Sequence, residues 1–422
     1  MRRQLLRLLR GALLRVMPAR SVDLSRLDKV PDHLAWPLKR DGFVPPRRMA
    51  EVRADEPVHK LGSLLGIDIW LVTGAKDARS ALTERDAFST DIRPYVGKRG
   101  AAGGDIGGLG FTDPPDHTRL RRLIAPEFTM RRLQRLQPSL EAIVTRQLDE
   151  IERRARAHEV VDLVPAFAFP VPFLMICDLL GLPDGDRENF RELGRARFDV
   201  NGGGVGTLGA ISESREFLKE ATARQRRDPG PGLIGQIIRE HGDEIDDFDL
   251  AGLADGVFTG GMETSAGMLA MGSAVLLGHP TAWKRVAFES EYAAPAVEEL
   301  LRHLSVVQVA FPRFAKHDVV VGSQLVRAGD VVMVSLPGAN HDPAFGGRPD
   351  VFDPDRPARS HLAFGHGIHR CVGAELARME LRTAYPALAR RFPEMKLTGD
   401  EHGFLTNSLV HGLRQVLVRP HG

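Results

Sequence analysis

A mainly α chain with a minor β component is what the 422-residue sequence predicts. Three observations carry this. Helical patterning fills the middle from Pro115 to about Glu240, long helical stretches follow at about Phe248 to Leu277 and Ala293 to His303, and the β-branched runs are short and lie outside that central region. The composition, 43% hydrophobic and 27% charged with no fixed glycine or proline period, is that of a globular chain and excludes disordered and collagen-like classes.

The chain opens on a basic extension, residues 1–30. Arg2, Arg3, Arg7, Arg10, Arg15 and Arg20 precede the first acid, Asp23, with Leu5, Leu6, Leu8, Leu9, Leu13 and Leu14 between them. Since the formal charge of the whole chain is only +2, the remainder is mildly acidic, which argues against nucleic acid as a partner. The extension reads either as a basic amphipathic helix making peripheral membrane contact through residues 1–20 or as an arm loosely packed on the body. Arg7 and Arg10 interrupt the apolar run that a signal peptide needs. The uncharged stretches 163–177 and 264–278 fall short of the roughly 20 residues of a spanning helix, so no transmembrane span and a cytoplasmic location are expected.

Prolines 31, 37, 45 and 46 punctuate the next stretch. Short strands are predicted at Pro57 to Lys60 and Ile67 to Val72, joined by Gly62 and Gly66, and a helix at Ala75 to Arg85. The glycines from Gly97 to Gly110 read as a long mobile loop. They do not make a dinucleotide fingerprint, which must close a strand and open a helix. The central helices are expected to stop at Pro126, Pro138, Gly181 to Pro183 and Gly202 to Gly204. Strands return at Val319 to Val321, Gln324 to Val326 and Val331 to Val334. A last helix spans Val372 to Arg391, and Leu409 to Val418 alternates like a strand. There is no internal repeat and no Ser-rich linker.

Two cysteines, Cys177 and Cys371, cannot form a disulfide framework and point to a reducing compartment. Cys177 lies on the apolar stretch Phe173 to Leu180 and reads as core. Cys371 follows Phe364-Gly365-His366-Gly367-Ile368-His369-Arg370 and precedes Val372-Gly373 and a helix. A helix start favours a thiolate, because its first backbone N–H groups lack internal partners. The glycines allow tight turns and close approach of a flat ligand. Taken alone, this segment leaves three readings open: a zinc site from His366, His369 and Cys371, a haem iron held by Cys371, or an unligated thiol.

With the motifs elsewhere, the chain resembles the cytochrome P450 family, the haem-thiolate monooxygenases, of the bacterial soluble type, from about residue 55 onward. The resemblance implies a triangular prism with a large helical region and a small β-rich lobe around one buried haem b, and therefore a single domain over residues 31–422. It implies that Cys371 is the axial thiolate, which favours O–O cleavage on the iron, within the loop of Phe364, Gly365 and Gly373. Glu299 and Arg302, three apart on one helix face, match the family's Glu-x-x-Arg pair and with Arg356 form a triad buttressing the haem loop. His117 and Arg121, Arg313 and His369 resemble the propionate clamp.

Gly260-Gly261-Met262-Glu263-Thr264 matches the oxygen-activating segment. Glycine costs about 1 kcal/mol against alanine within a helix, so two in succession suggest room for something small. In the family Thr264 donates to bound dioxygen across a local widening of the helix and Glu263 relays protons. Gly260 replaces the more frequent alanine, Met262 stands where histidine is often found, and His341 replaces the arginine of an Ala-Asn-Arg-Asp-Pro turn.

The resemblance implies reductive activation of O2 and insertion of one oxygen atom, by hydroxylation or epoxidation, into a lipophilic small molecule. With no flavin fingerprint and no iron-sulfur cysteine set in the chain, electrons come from a ferredoxin or flavodoxin and its NAD(P)H-dependent reductase. Arg119, Arg122, Arg131 and Arg132 read equally as an acidic partner's docking surface or as a solvated charged face. Substrate walls are expected from Tyr95 to Phe111, Val306 to Phe311 and Leu405 to Val410, and from Phe258, Gly260, Gly261, Val307 and Leu409. The rivals are a peroxide-using or non-oxygenating haem-thiolate enzyme catalysing coupling or isomerisation, against which Glu263 with Thr264 argues, and a non-catalytic haem-thiolate sensor or binding protein.

Overall fold

The computed structural model describes residues 31–64, 66–92, 109–157, 160–198, 208–357, 360–399, 403–406 and 408–422. The basic extension with its membrane reading, most of the glycine-rich loop and the stop at Gly202 to Gly204 lie outside the described residues. Helices α1 (Asp32–Ala35) and α2 (Arg47–Asp55) lead into strands β1 (Val58–Leu64) and β2 (Ile67–Val72), then α3 (Ala75–Thr83) and β3 (Phe88–Ser89). A helical region follows: α4 (Asp116–Ile124), α5 (Met130–Leu133), α6 (Gln137–Ala155), the short strand β4 (Val161–Asp162), α7 (Pro170–Leu180), α8 (Asp184–Phe198), α9 (Leu208–Arg227), α10 (Leu233–His241), α11 (Asp247–Leu277), α12 (Pro280–Phe288) and α13 (Ala293–Leu304). Strands β5 (Arg313–Ala315), β6 (Val319–Val321), β7 (Gln324–Val326) and β8 (Val331–Val334) precede α14 (Leu336–Asn340), α15 (Ala374–Arg391), β9 (Lys396–Leu397) and β10 (Leu417–Arg419).

Helix α11 is the axis of the helical region. Its apolar residues are not confined to one stripe: Leu253, Phe258, Met262, Met268, Leu269 and Met271 are all buried, as in a helix surrounded by neighbours. It packs on α7, α9, α13 and α15. The Asp246 side chain caps its start by accepting from Asp249 N–H. Cys177 is fully buried in the same core.

The β lobe has strand order β1-β2-β8-β5-β3, with β2 and β8 parallel and the other pairs antiparallel. Its core, around Trp70, Val72, Phe88, Val332 and Val334, is separate from the helical one. β1 runs on through Gly62, which sits at a register shift within the strand instead of in the turn. A β-carbon there would come within 2.7 Å of Leu34, so the glycine lets α1 lie on the sheet.

Two expectations are corrected. Pro138 does not stop a helix; it sits in the first turn of α6, where its missing N–H costs nothing. Leu409 to Val418 is a strand only from Leu417, because the preceding residues pair through isolated bridges, Val307 with Val410 and Phe404 with Leu413.

Candidate active site

The loop before α15 brings Cys371 to the interior. Gly365 and Gly367 both have positive φ, 69° and 72°. A β-carbon on Gly367 would approach the Leu82 carbonyl to 2.4 Å, so this position admits only glycine, whereas nothing lies within 4 Å of one on Gly365. Cys371 N–H donates to the Phe364 carbonyl at 2.9 Å, and the Arg378 guanidinium lies 4.7 Å from the Phe364 ring centroid. Helix α15 begins at Ala374, with Gly373 as its cap. The Cys371 thiol is exposed by surface area, yet burial raises its pKa, outweighing the Gly373 N–H and the Arg121, Arg370 and Arg378 charges that lower it. Both observations describe a sulfur lining a recess within the molecule. The expected thiolate stabilisation from the helix start alone is thus not enough; a coordinating metal deprotonates a thiol outright.

Among the described residues no three His, Cys, Asp or Glu side chains converge as metal ligands, which removes the zinc reading. His369 turns instead toward His117, with ring centroids 4.3 Å apart, and its nitrogens lie 3.1 Å from the Leu109 carbonyl and 3.4 Å from Thr90 Oγ1. His117 is buried, and its Nε2 has no hydrogen-bond partner. Arg313 is buried and donates to the Phe311 carbonyl at 2.7 Å. Burial and the neighbouring cations push His369 down to about 4 and lower His117, and burial brings Arg313 down to about 10. Arg121, half-buried, has its pKa lowered by burial and raised by Cys371. The acid that raises Arg313 and His369 is Asp113, whose oxygens also take hydrogen bonds from Ser89 and Thr90. Buried donors in excess of carboxylates, beside a thiol facing inward, suit haem b with its two propionates.

Glu299 and Arg302 form a buried bidentate pair at 2.7 and 2.8 Å, and Arg356 Nε reaches Glu299 at 3.3 Å. Arg356 also donates to the Phe345, Arg348 and Val351 carbonyls. The triad joins α13 to the segment ahead of the loop.

On α11, Thr264 Oγ1 donates to the Gly260 carbonyl at 2.8 Å, and the helix is α-helical throughout, without the expected widening. Ser265, the next residue, bonds to the buried Glu380 of α15 and so ties this turn of α11 to the helix that follows Cys371. Burial pushes Glu263 up to about 7. The glycine pair divides its work: Gly260 opens onto free space, while a β-carbon on Gly261 would come within 3.2 Å of Ile176 of α7. Phe258 is not a pocket wall. It is fully buried, packed on Phe190 with centroids 4.4 Å apart, because its position faces α8. Val307 and Leu409 come together through Gln308 N–H, which donates to the Leu409 carbonyl at 2.9 Å. Tyr95 lies outside the described residues. Of the arginines considered for docking, Arg119 pairs with Asp249 and Arg132 with Glu127 and Glu240, so both are neutralised within the chain.

Sequence reasoning missed the role of Asn340 and the pair of Glu298 with Arg378 at 2.7 Å. The former sits in the Ala-Asn-His-Asp-Pro turn, which was visible; the latter joins residues 80 apart and had no local signal.

A helical body with a small β lobe, an inward thiol and surplus donors for two carboxylates define a haem-binding oxidoreductase. The family model for Cytochrome P450 matches residues 215–403. Cytochrome P450 165C4 of Amycolatopsis orientalis is 40% identical over 79% of this chain and 82% of its own. The 20-oxo-5-O-mycaminosyltylactone 23-monooxygenase of Streptomyces fradiae is 34% identical over 91% of this chain and 92% of its own. The solved structure of OxyC, described as a cytochrome P450 implicated in an oxidative C–C coupling reaction during vancomycin biosynthesis, superposes with a TM-score of 0.80 at 36% identity, over 90% of this chain and 95% of that one. This chain belongs to the cytochrome P450 family, whose cofactor is haem b and whose co-substrate is O2. It is a cytochrome P450 monooxygenase. Among the described residues no helix is long and apolar enough to cross a membrane.

Proposed function

We propose that this enzyme inserts one atom of dioxygen into a lipophilic small molecule, by hydroxylation or epoxidation, with electrons from a separate ferredoxin or flavodoxin and its reductase. When bound, haem b supplies the reductive activation of dioxygen. Cys371 would hold its iron. His117, Arg121, Arg313 and His369 would hold its propionates, and Phe364, Gly365 and Gly373 shape the loop, which the triad of Glu299, Arg302 and Arg356 buttresses. Thr264 presents a hydroxyl beside the open face of Gly260, and Glu263 holds and passes protons. The observation that carries the reading is the adjacency of Thr264 to a carboxyl whose pKa burial raises to about 7, near the working pH of a general acid. The substrate recess is bounded by Gly260, Val307 and Leu409.

Thr264→Ala, supplied with electron donors and a substrate found by binding-difference spectroscopy on a panel of lipophilic compounds, is expected to form peroxide in place of product. Equal coupling would overturn the role of Thr264. Cys371→Ser should abolish the strongly red-shifted Soret band of the reduced carbon monoxide complex. A second reading, oxidative coupling without net oxygen insertion, is supported by the likeness to OxyC. Turnover under isotopically labelled dioxygen separates the two, since only insertion labels the organic product.

A further inference from the structure

In the extended segment after α13, Val307 and Val309 are half-buried while Gln308 between them is 1% exposed, as alternation along an extended chain dictates. Val307 pairs with Val410 in an isolated bridge. Two backbone bonds flank it, from Gln308 N–H to the Leu409 carbonyl at 2.9 Å and from His411 N–H to the Val306 carbonyl at 2.7 Å. The Gln308 side chain adds what a single bridge lacks. Its Nε2 donates to the Ser408 carbonyl at 2.7 Å and to the Leu38 carbonyl at 3.1 Å, both in buried surroundings. Its backbone carbonyl accepts from Leu336 N–H, at the start of α14, at 3.2 Å. One buried residue thus joins the amino-terminal stretch, the start of α14 and the carboxyl-terminal residues 408–409. Its Oε1 has no hydrogen-bond partner. Flipping the amide would aim that oxygen at two carbonyl oxygens, so the demand of Ser408 and Leu38 for a donor fixes its orientation.

We propose that Gln308 is a positioning residue that sets how far residues 408–410 project into the recess, and so the size of molecule it admits, a role that rests on the recess bounded by Gly260, Val307 and Leu409 proposed above. Gln308 does not touch the substrate. It acts by holding the Ser408 carbonyl, next to Leu409, whose side chain is 44% exposed and free to meet a ligand. Without the Nε2 donor the Ser408 carbonyl, on a residue that is itself buried, must turn to find another partner, and the backbone at Leu409 turns with it. The remaining ties lie further along the segment, where Leu405 N–H donates to the Gly412 carbonyl at 2.9 Å and His411 Nε2 to the Gly42 carbonyl at 2.9 Å. They keep the segment on the body of the protein without fixing residues 408 and 409.

The test uses the haem-loaded enzyme and two azoles, imidazole and a phenylimidazole, whose binding to the haem iron is read by difference spectroscopy. Gln308→Met keeps a long unbranched side chain without a donor, and Gln308→Asn keeps an amide too short to reach both carbonyls, so one remains if the other fails to fold. In either variant the ratio of the two dissociation constants is expected to change by about tenfold, with the imidazole Kd steady, because a wall displaced by about one methylene is felt by the ligand that reaches it. A general loosening of the site would move both constants together. The Soret band of the reduced carbon monoxide complex, unmoved, shows that the cysteine loop is intact. Leu409→Ala, alone and combined with Gln308→Met, completes a cycle in which the two changes in the ratio should fall well short of multiplying, since both act through one contact. Multiplying changes, or an unchanged ratio in a folded Gln308 variant where Leu409→Ala alone shifts it, would overturn the positioning role. An unchanged ratio in Leu409→Ala would overturn the recess boundary itself, and this role with it.

Discussion

The Asn340 side-chain carbonyl accepts the Leu362 backbone N–H at 2.7 Å, a buried bond that ties the end of α14 to the start of the cysteine loop. The same residue accepts from Arg302 through its backbone carbonyl at 2.8 Å and donates to Ser305 Oγ at 2.8 Å. Asn340 is therefore the piece that carries the rigidity of the triad on α13 to the loop bearing Cys371. Asn340→Ala would leave the Leu362 N–H buried without a partner, at about 1–3 kcal/mol, and lose the bond to Ser305 besides. A total loss of about 2–4 kcal/mol is expected in denaturant unfolding, together with faster loss of haem to an apoprotein acceptor. Unchanged haem retention would show that the loop does not depend on this tie.

The triad itself should respond unevenly. Glu299 and Arg302 side chains are 6% and 3% exposed, so Glu299→Ala strands a buried guanidinium; a loss of about 3–5 kcal/mol is expected. Arg356→Ala removes bonds to carbonyls nearer the surface and should cost less, about 1–3 kcal/mol. Thermal unfolding of the two variants under one condition checks the order, and equal losses would contradict it.

How far the site was legible follows from the range of its signals. Cys371, Glu299 with Arg302, and Glu263 with Thr264 sit in short motifs whose spacing survives in one dimension. The long-range ties around them do not: Leu362 with Asn340 is joined only once α14 meets the cysteine loop, and Arg378 with Glu298 and Glu380 with Ser265 only once α13 and α11 pack on α15. Phe258 was misread because it stands next to the open face of α11 in sequence, whereas a helix turns about 100° per residue and points it at Phe190. Strand positions in the β lobe were legible where β-branched residues cluster, as at Val331 to Val334, and illegible in the carboxyl-terminal segment, where isolated bridges replace a ladder.

Stability should fall on both sides of a mildly acidic optimum. His303 is buried and pushed down to about 3, first by burial and then by Arg302. Its pKa in the unfolded chain is about 6.5. The unfolded state thus binds more protons between those values, so stability is full above about pH 6.5 and is lost as pH falls toward about 3. Glu380 runs the other way. Burial pushes it up to about 8, above an unfolded value of about 4.3, so the folded state holds the extra proton and stability is lost as pH rises from about 4.3 through about 8. Glu380→Gln keeps the neutral shape and should flatten the alkaline limb of a stability-against-pH curve while leaving the acid limb unchanged. A variant curve parallel to the wild type would refute the assignment.

Gly260 and Gly261 offer the sharpest separation of stability from function. In an exposed helix interior, glycine to alanine gains about 0.5–1 kcal/mol from reduced unfolded-state entropy and better propensity. At Gly260 a methyl group meets nothing within 4 Å, so Gly260→Ala is expected to raise stability by about that amount. At Gly261 the methyl would press on Ile176 Cδ1 at 3.2 Å across a packed helix interface, and the gain should be cancelled or reversed. Function should follow the opposite order. The space beside Gly260 is also the space beside Thr264, whose hydroxyl is held by the Gly260 carbonyl. Gly260→Val therefore narrows the recess at the reacting end, raising KM for bulky substrates more than for small ones while haem content and melting temperature are retained. Gly261→Ala should leave that substrate dependence unchanged, since its side chain points at α7. Measuring Tm and the ratio of kcat/KM for a bulky and a small substrate across the three variants tests both orders at once. A Gly261→Ala variant that matched Gly260→Val in substrate discrimination would mean that the face of α11 turned toward the recess is not the one Gly260 defines.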